Sequence, residues 1–317
     1  MDKIFILDGH TKKSIIPVRS FGKRKFEIVV GSAYNQLSLS HSSKYCNEKV
    51  NYPHPKNEMK FIKKIVEIIK NKNIDFILPL NDDSARIISK YKEKLINYCQ
   101  VPIMNYKSFY NAVDKAETFK IAKQTIPKYT PKTIIINDIN NIDAKVNFSP
   151  PYVIKPRISF GAKGIVYVDE YKNLKNMYKK VHENYKFPLI QEFIPQKNKY
   201  QYLYLYDKKH NLISSFGHEI IHQLPLQGGS ATSWKFVNNS NIFNIGNNLL
   251  KEMNWYGFAF VECILDERDG NPKLMEINPR FSGTFSLSYF MGIDFSYLLY
   301  LVINNKKINN NKLIEKS

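Results

Sequence analysis

The sequence contains few of the residues on which small disulfide-stapled or disordered proteins depend. Only 3 of its 317 residues are cysteines, and they lie far apart without the spacing of a metal or redox motif. Glycine and proline number 13 and 15, which is too few for a disordered chain. The sequence therefore predicts a globular protein of two or three packed subdomains in a reducing compartment.

Long apolar segments are also absent. No uninterrupted apolar stretch reaches the roughly 18 residues that a membrane helix needs. The first apolar run, residues 4–7, ends at Asp8 and is too short for a signal-peptide core. We therefore expect a soluble, cytoplasmic protein without a membrane partner.

Acidic residues are scarce, with 28 Asp and Glu against 47 Lys and Arg, for a formal net charge of +19. The lysines recur through almost every segment beside Asn and Ile, so a general compositional bias explains them better than a surface for nucleic acid. Nucleic acid is not expected as a partner.

The N-terminal third alternates between short apolar runs and segments of helical length. Residues 4–7 and 26–30 predict two strands around a helix, and apolar spacing predicts a helix over 58–70 before a strand at 74–80. This alternation predicts a parallel sheet. Asn81-Asp82-Asp83 follows the last of these strands, where such sheets bind ligands, although a helix N-cap explains it equally well.

The chain changes character after about residue 105. Asp114 and Glu117 have capping-box spacing and predict a helix running to about residue 124. The remaining strands are expected to be antiparallel: residues 152–155, the hairpin 202–206 with 212–216, and the hairpin 257–265 with 273–278.

Two acidic residues on the last hairpin are placed to bind a metal. Period-two alternation puts one set of side chains on a shared face: Phe258, Phe260, Glu262, Ile264, Leu274, Glu276 and Asn278. A turn centred on Asp269 sets Glu262 opposite Glu276, and such like charges are destabilising unless a cation separates them. Glu262, Glu276 and Asn278 offer the hard oxygen ligands of Mg²⁺, and a solvent-facing acidic pair is the alternative.

Cationic and glycine-containing segments indicate that the protein binds phosphate groups. Arg280 follows the acidic pair and is ready to hold a phosphoryl or carboxylate group. The loop from Ser159 to Gly164, next to Lys155, lets backbone N–H groups approach phosphates, or else it is an ordinary turn. Residues 189–195 suit a nucleobase, with an edge strand as the alternative.

Taken in order, these segments resemble the ATP-grasp superfamily. The residues that carry the resemblance are Asp114-Lys115, Val153-Ile154-Lys155-Pro156, Ser159 to Gly164, Gln191-Glu192-Phe193-Ile194-Pro195, Glu262, and Glu276 to Gly283. Ile77 to Asp82 resembles the pre-ATP-grasp domain of the carbamoyl-phosphate-synthase-like branch. The resemblance implies an α/β, Rossmann-like domain over 1–108, then a two-lobed α+β ATP-grasp domain with antiparallel sheets, divided into a small lobe at 109–192 and a large lobe at 193–317.

The resemblance also implies a role for each motif. Lys115 and Lys155 would contact the ATP phosphates, and Arg280 would steady an acyl phosphate. The remaining implied contacts are the flap residues Ser159, Gly161 and Gly164, the adenine linker Gln191, Glu192, Phe193 and Ile194, and the Mg²⁺ ligands Glu262, Glu276 and Asn278. The implied cofactors are ATP and one or two Mg²⁺ ions, with Mn²⁺ as a substitute.

The implied activity is ligation of a small carboxylate to an amine or ammonia through an acyl phosphate, giving ADP and phosphate. A kinase that stops at phosphoryl transfer and a non-catalytic basic binding protein are the alternatives. Lys199 departs from the family, because many relatives have an acidic ribose ligand near it, which leaves Asn198 or Gln201 as substitutes. Gly228-Gly229-Ser230 lies where relatives have an acceptor loop, or is a turn. The chain ends soon after residue 302, where many relatives continue, so part of the acceptor site is expected to be absent or supplied by a second copy or a partner subunit.

Overall fold

A computed structural model describes residues 2–159, 161–224 and 230–308. Each of its three sheets falls within one of the three segments expected above, although their boundaries stay a prediction. Within the described ranges, no helix is both long and apolar enough to cross a membrane. The three cysteines are free, as their spacing predicts.

The N-terminal segment forms the predicted parallel sheet, in the strand order β3-β2-β1-β4. Its elements are β1 (Lys3–Ile6), α1 (Ile15–Lys23), β2 (Glu27–Ala33), β3 (Glu48–Tyr52), α2 (Glu58–Lys72), β4 (Phe76–Leu78), α3 (Asp82–Lys90) and α4 (Lys92–Leu95). The strand predicted at 74–80 is shorter, because β4 pairs with β1 over only three residues and Pro79 has no N–H to donate.

The middle segment carries a four-stranded antiparallel sheet in the order β5-β8-β6-β7. Its elements are α5 (Tyr106–Val113), α6 (Lys115–Thr125), β5 (Thr133–Ile135), α7 (Ile142–Lys145), β6 (Tyr152–Lys155), β7 (Val166–Val168), α8 (Tyr171–Asn184) and β8 (Leu189–Glu192). Asp114 caps α6 as predicted, with its carboxylate accepting from the Ala116 N–H at 2.9 Å. Glu117 does not complete a capping box, because its carboxylate binds Lys120 instead.

The last segment is a five-stranded antiparallel sheet in the order β11-β10-β9-β12-β13, and it contains both predicted hairpins. Its elements are β9 (Gln196–Tyr206), β10 (Leu212–Leu224), β11 (Ser230–Phe236), α9 (Ser240–Glu252), β12 (Gly257–Asp266), β13 (Pro272–Asn278), α10 (Ser286–Phe290) and α11 (Phe295–Ile303).

The two faces of the five-stranded sheet join different parts of the molecule. Alternate tyrosines of β9 pack towards α9, where the Tyr204 hydroxyl donates to the Phe243 carbonyl at 2.8 Å and leaves no room for a side chain at Gly246. On the opposite face, Leu203 and Phe258 share a buried cluster with Ile4 of the N-terminal sheet. Burial of each such side chain stabilises the fold by about 1.5–3 kcal/mol, so this core holds the N-terminal sheet beside β12.

A β-bulge changes one face assignment in the last hairpin. Glu262 pairs with Glu276, but Cys263 pairs with Leu274, so Met275 is an extra residue on β13. Leu274 therefore lies in the core on the side of Cys263 and Ile277. The prediction that Leu274 shares the face of Glu276 is wrong, because one inserted residue reverses the side-chain alternation.

Candidate active site

The acidic pair lies on β12 and β13 in the predicted arrangement. Glu262 and Glu276 are direct cross-strand partners, and Asn278 is paired with Phe260 one step along the same face. The Asn278 side-chain amide donates to Glu276 Oε1 at 3.0 Å and to Glu262 Oε1 at 3.4 Å. The three side chains therefore converge on one point.

The two carboxyls differ in their electrostatic surroundings. Burial and the charge of Glu276 raise the pKa of Glu262 to about 8. Burial acts on Glu276 in the same direction, but the Lys115 ammonium, 3.0 Å from its Oε2, together with Asn278 and Arg280, holds its pKa below the ordinary value. The positive charges of the protein alone are therefore too few to favour ionisation of both Glu262 and Glu276.

Lys115 and Lys155 come to the same site from different elements. Lys115 begins α6, and its Nζ lies 3.3 Å from the Ser159 carbonyl as well as beside Glu276. Lys155 ends β6, and its Nζ donates to Gln191 Oε1 at 2.6 Å. Burial and the neighbouring Lys115 charge lower the pKa of Lys155 to about 8, since Glu276 offsets them only in part. Two buried ammonium groups beside acceptor oxygens can bind a polyphosphate.

A buried ion pair that no sequence pattern predicted holds the two lysine-bearing segments together. Arg157 binds the fully buried Asp114 carboxylate through both Nε and Nη2, at 2.9 and 2.5 Å. The Lys115 N–H donates to the Arg157 carbonyl at 2.9 Å. Because Asp114 precedes Lys115 and Arg157 follows Lys155 by two residues, this pair sets the spacing between the lysines.

Arg280 lies next to the acidic pair, as predicted, and its guanidinium forms an ion pair with a residue of the N-terminal segment. Its Nε donates to Asp82 Oδ1 at 2.5 Å, and its guanidinium lies 5.2 Å from the centre of the Phe260 ring. Asp82 belongs to the Asn81-Asp83 motif after β4, so the carboxyl end of the parallel sheet lies beside Arg280.

Gln201 and Lys199 of β9 lie beside the acidic pair, where the sequence analysis did not place them. Gln201 pairs with Glu262 and donates to its Oε1 at 3.1 Å, while Asn198 binds Glu219. Both side chains form hydrogen bonds within the protein, and the ribose contact stays a prediction. Lys199 lies on the same face as Gln201, and the charges of Glu262 and Glu276 oppose the lowering of its pKa by burial. In the segment Lys199-Tyr200-Gln201-Tyr202, period-two alternation would have placed Lys199 and Gln201 on one face of the strand. The many tyrosines of this strand obscured that pattern.

In the described residues, the predicted flap is a turn and the predicted linker begins in the last residues of β8. Gly161 and Gly164 have φ angles of +61° and +77° between β6 and β7, and Phe160 lies outside the described residues. At the linker, the Gln191 side chain accepts from Lys155 and donates to Thr133, and its contact with adenine stays a prediction. The Glu192 carboxylate bridges the Lys132 N–H and Arg268. The predicted glycines Gly228 and Gly229 also lie outside the described residues.

The donor set fits a hard divalent cation. Among the described residues no three His, Cys, Asp or Glu side chains gather, so the candidate ligands here are two carboxylates and one amide. Carboxylate and amide oxygens suit Mg²⁺, which keeps its other positions for water or substrate phosphates. The unbalanced repulsion between Glu262 and Glu276 is what such a cation would relieve. A half-turn of the Asn278 amide would present its oxygen in place of its nitrogen.

Comparison with known proteins agrees with this geometry. A family model described as an ATP-grasp domain matches residues 112–284, more than half of the chain. The chain belongs to the ATP-grasp family. A D-aspartate ligase of Enterococcus faecium is 25% identical over 285 residues, which cover 83% of this chain and 67% of that protein. The family and this relative agree with the predicted enzyme class, an ATP-dependent ligase.

Solved ATP-grasp structures have the same overall fold. Biotin carboxylase from Campylobacter jejuni, solved in a complex with ATP, superposes with a TM-score of 0.77 at 11% identity, covering 97% of this chain and 72% of that one. An L-amino acid ligase from Bacillus licheniformis gives 0.74 at 16% identity, covering 96% and 74%. These likenesses extend over the N-terminal sheet and confirm the predicted mixed fold.

Proposed function

We propose that the protein is an ATP- and Mg²⁺-dependent carboxylate-amine ligase that releases ADP and phosphate. The observation that carries this proposal is the convergence of Lys115, Lys155 and Arg280 on the opposed carboxylates of Glu262 and Glu276. Cations on one side of a metal-binding acidic pair are the arrangement that phosphoryl transfer requires, because charge on the transferring group must be neutralised.

Each side chain has a distinct task in this proposal. Lys115 and Lys155 bind the nucleotide phosphates, and the Asp114–Arg157 ion pair keeps the two ammonium groups at a constant spacing. Glu262, Glu276 and Asn278 hold Mg²⁺, which supplies charge neutralisation to the phosphates when it is bound. The Ile194 N–H, which donates no hydrogen bond within the described part of the chain, and the Glu192 carbonyl are the backbone groups for adenine.

The proposed reaction has two steps. A carboxylate oxygen attacks the γ-phosphorus of ATP, the bond to the β-phosphate oxygen breaks, and ADP leaves. An amine nitrogen then attacks the acyl carbon, phosphate leaves with the former carboxylate oxygen, and the nitrogen loses a proton. In this proposal Arg280 stabilises the negative charge of the acyl phosphate, and the loop over 161–164 excludes water.

The carboxylate substrate is proposed from the curated relative. Since that protein is a D-aspartate ligase, D-aspartate is the first carboxylate to test. The neighbouring L-amino acid ligase makes other amino acids the next group.

The proposal is tested by measuring ADP release with a panel of amino acids and small carboxylates, each with ammonia or an amine. We expect ADP formation that needs both substrates and Mg²⁺. ADP formed with a carboxylate alone, without amide product, would support the kinase alternative instead. No ADP formation with any pair, in a protein that binds nucleotide, would contradict ligase activity.

A further inference from the structure

The carboxyl edge of the N-terminal sheet carries charged residues that the proposed reaction does not yet use. In the order β3-β2-β1-β4, the chain leaves β1 towards β2 on one side and returns with β4 on the other. The loops after β1 and β4 therefore diverge at a topological switch point, where open α/β sheets bind ligands. Lys13 comes from the first loop and Asp82 from the second.

Both residues contact the segment that follows β13. Lys13 Nζ donates to the Phe281 carbonyl at 3.3 Å, and Asp82 accepts from Arg280. The switch point therefore faces the arginine of the candidate active site. A substrate lying there would touch both the N-terminal sheet and the acidic pair region.

The Lys13 ammonium is partly buried and lacks an anionic partner. Among the described residues, no carboxylate lies within 4.0 Å of its Nζ, and the Phe281 carbonyl is the one group that accepts a hydrogen bond from it. Burial and the Arg280 charge lower the pKa of Lys13 to about 7, since Asp82 and Asp8 offset them only in part. An ammonium in these surroundings would gain from a bound anion.

The nearby carboxylates are committed to other donors. Asp82 is held by Arg280, and Asp8 Oδ2 accepts from the Leu80 and Asn81 N–H groups at 3.0 and 2.8 Å and from Ser84. Neither carboxylate is placed to pair with Lys13. The missing anion is therefore expected from outside the chain.

Lys13 and Arg280 lie side by side, because both donate to the Phe281 carbonyl, at 3.3 and 3.1 Å. The Arg280 guanidinium also lies 5.2 Å from the centre of the Phe260 ring, and Phe260 pairs with Asn278 of the candidate metal site. Lys13 instead comes from the loop after β1. A ligand with two carboxylates could therefore place one beside each cation.

We propose that Lys13 binds the second, non-reacting carboxylate of a dicarboxylic amino acid, whose reacting carboxylate lies beside Arg280. This inference rests on the proposed function and names its substrate class. It assigns a specificity role to the loop after β1: Lys13 distinguishes acidic amino acids from those with one carboxylate.

The experiment measures binding by calorimetry, with the full chain, Mg²⁺ and a non-hydrolysable ATP analogue. The probes are both enantiomers of aspartate and of alanine, which lacks the second carboxylate. The parent protein should bind an aspartate more tightly than the matching alanine. Lys13→Met should weaken aspartate binding about ten- to hundredfold, the usual cost of losing a charged hydrogen bond. Alanine binding should not change.

Two further variants serve as controls. Lys13→Arg keeps the positive charge and should retain most of the affinity for aspartate. Lys12→Met removes the neighbouring lysine, which is exposed, and should leave binding unchanged. Equal affinity of the parent for aspartate and alanine would overturn the proposal even if Lys13→Met failed to fold.

Other results also decide the question. Unchanged aspartate binding by Lys13→Met, or equal losses for aspartate and alanine, would overturn the role of Lys13. ADP and amide formation with other acids would then still support the ligase. Lys13-dependent aspartate binding without ADP formation would support this site and contradict the proposed function.

Discussion

Glu262 and Glu276 are direct partners across the β12–β13 ladder, and yet the pKa values of their carboxyls move in opposite directions. Lys115 accounts for the difference, because its ammonium contacts Glu276 and not Glu262. The protein itself therefore neutralises the charge of Glu276 but not that of Glu262. A second cation would be stabilised there, because it would neutralise the charge of the Glu262 carboxylate.

The first prediction concerns that cation. Glu276→Gln removes one negative ligand, so Mg²⁺ affinity in the presence of an ATP analogue should fall by about tenfold or more. Titration calorimetry with Mg²⁺ measures the change. Glu267→Gln is the matched control, because Glu267 is exposed in the turn of the same hairpin. Undiminished Mg²⁺-dependent nucleotide binding in Glu276→Gln would remove Glu276 from the site.

A second prediction tests Lys155 as a phosphate ligand. Lys155→Met keeps most of the aliphatic stem and removes the charge, so kcat should fall by about 10²–10³-fold. Lys172→Met, on the exposed side of α8, should retain full activity. Equal turnover of Lys155→Met and the parent would show that this ammonium does not act on the reacting phosphates.

The lowered pKa of Lys155 predicts how stability depends on pH. Its pKa is 10.5 when unperturbed and about 8 in the fold, so the unfolded state binds more protons between these values. The Lys155 contribution to the free energy of unfolding is therefore least favourable below pH 8 and improves as pH rises to 10.5. At pH 7, Lys155→Met should be more stable than the parent by up to about 3 kcal/mol.

Urea unfolding of both proteins from pH 7 to 10, without nucleotide, measures this effect. The advantage of the variant should shrink as pH rises through that range. A difference between the two proteins that does not change with pH would mean that Lys155 has an ordinary pKa.

The two glycines of the loop should respond differently to substitution. Gly161→Ala meets no atom within 4 Å and strains only the backbone, at a cost of about 1 kcal/mol. Gly164→Ala adds a clash, because its Cβ would lie 2.5 Å from Tyr185 and 2.8 Å from Pro156. We expect a loss of about 2–4 kcal/mol, measured by urea unfolding. Equal losses would contradict the tight packing at Gly164.

The sequence was most informative where local patterns determine the geometry. Alternation along the last hairpin placed Glu262 opposite Glu276, and apolar spacing predicted the parallel sheet. Alternation could not show the extra residue at Met275, because a bulge depends on how two strands pair rather than on either strand alone.

Contacts between distant segments account for most of what the sequence could not show. Arg280 and Asp82 are 198 residues apart, and Arg157 and Asp114 are 43 apart. The residues adjacent to each of these four in the sequence do not indicate its ion-pair partner. Lys199 was considered only for the ribose position, because the predicted strand began at Tyr202 and so did not place Lys199 on the face of Gln201.

The central claim is that a carboxylate is phosphorylated by ATP before an amine attacks. It is tested most directly with aspartate labelled with ¹⁸O in its carboxylates, Mg·ATP and an amine acceptor, by mass analysis of the released phosphate. An acyl phosphate transfers one carboxylate oxygen to phosphate, so each phosphate should carry one ¹⁸O. Amide and ADP formed with unlabelled phosphate would contradict the account.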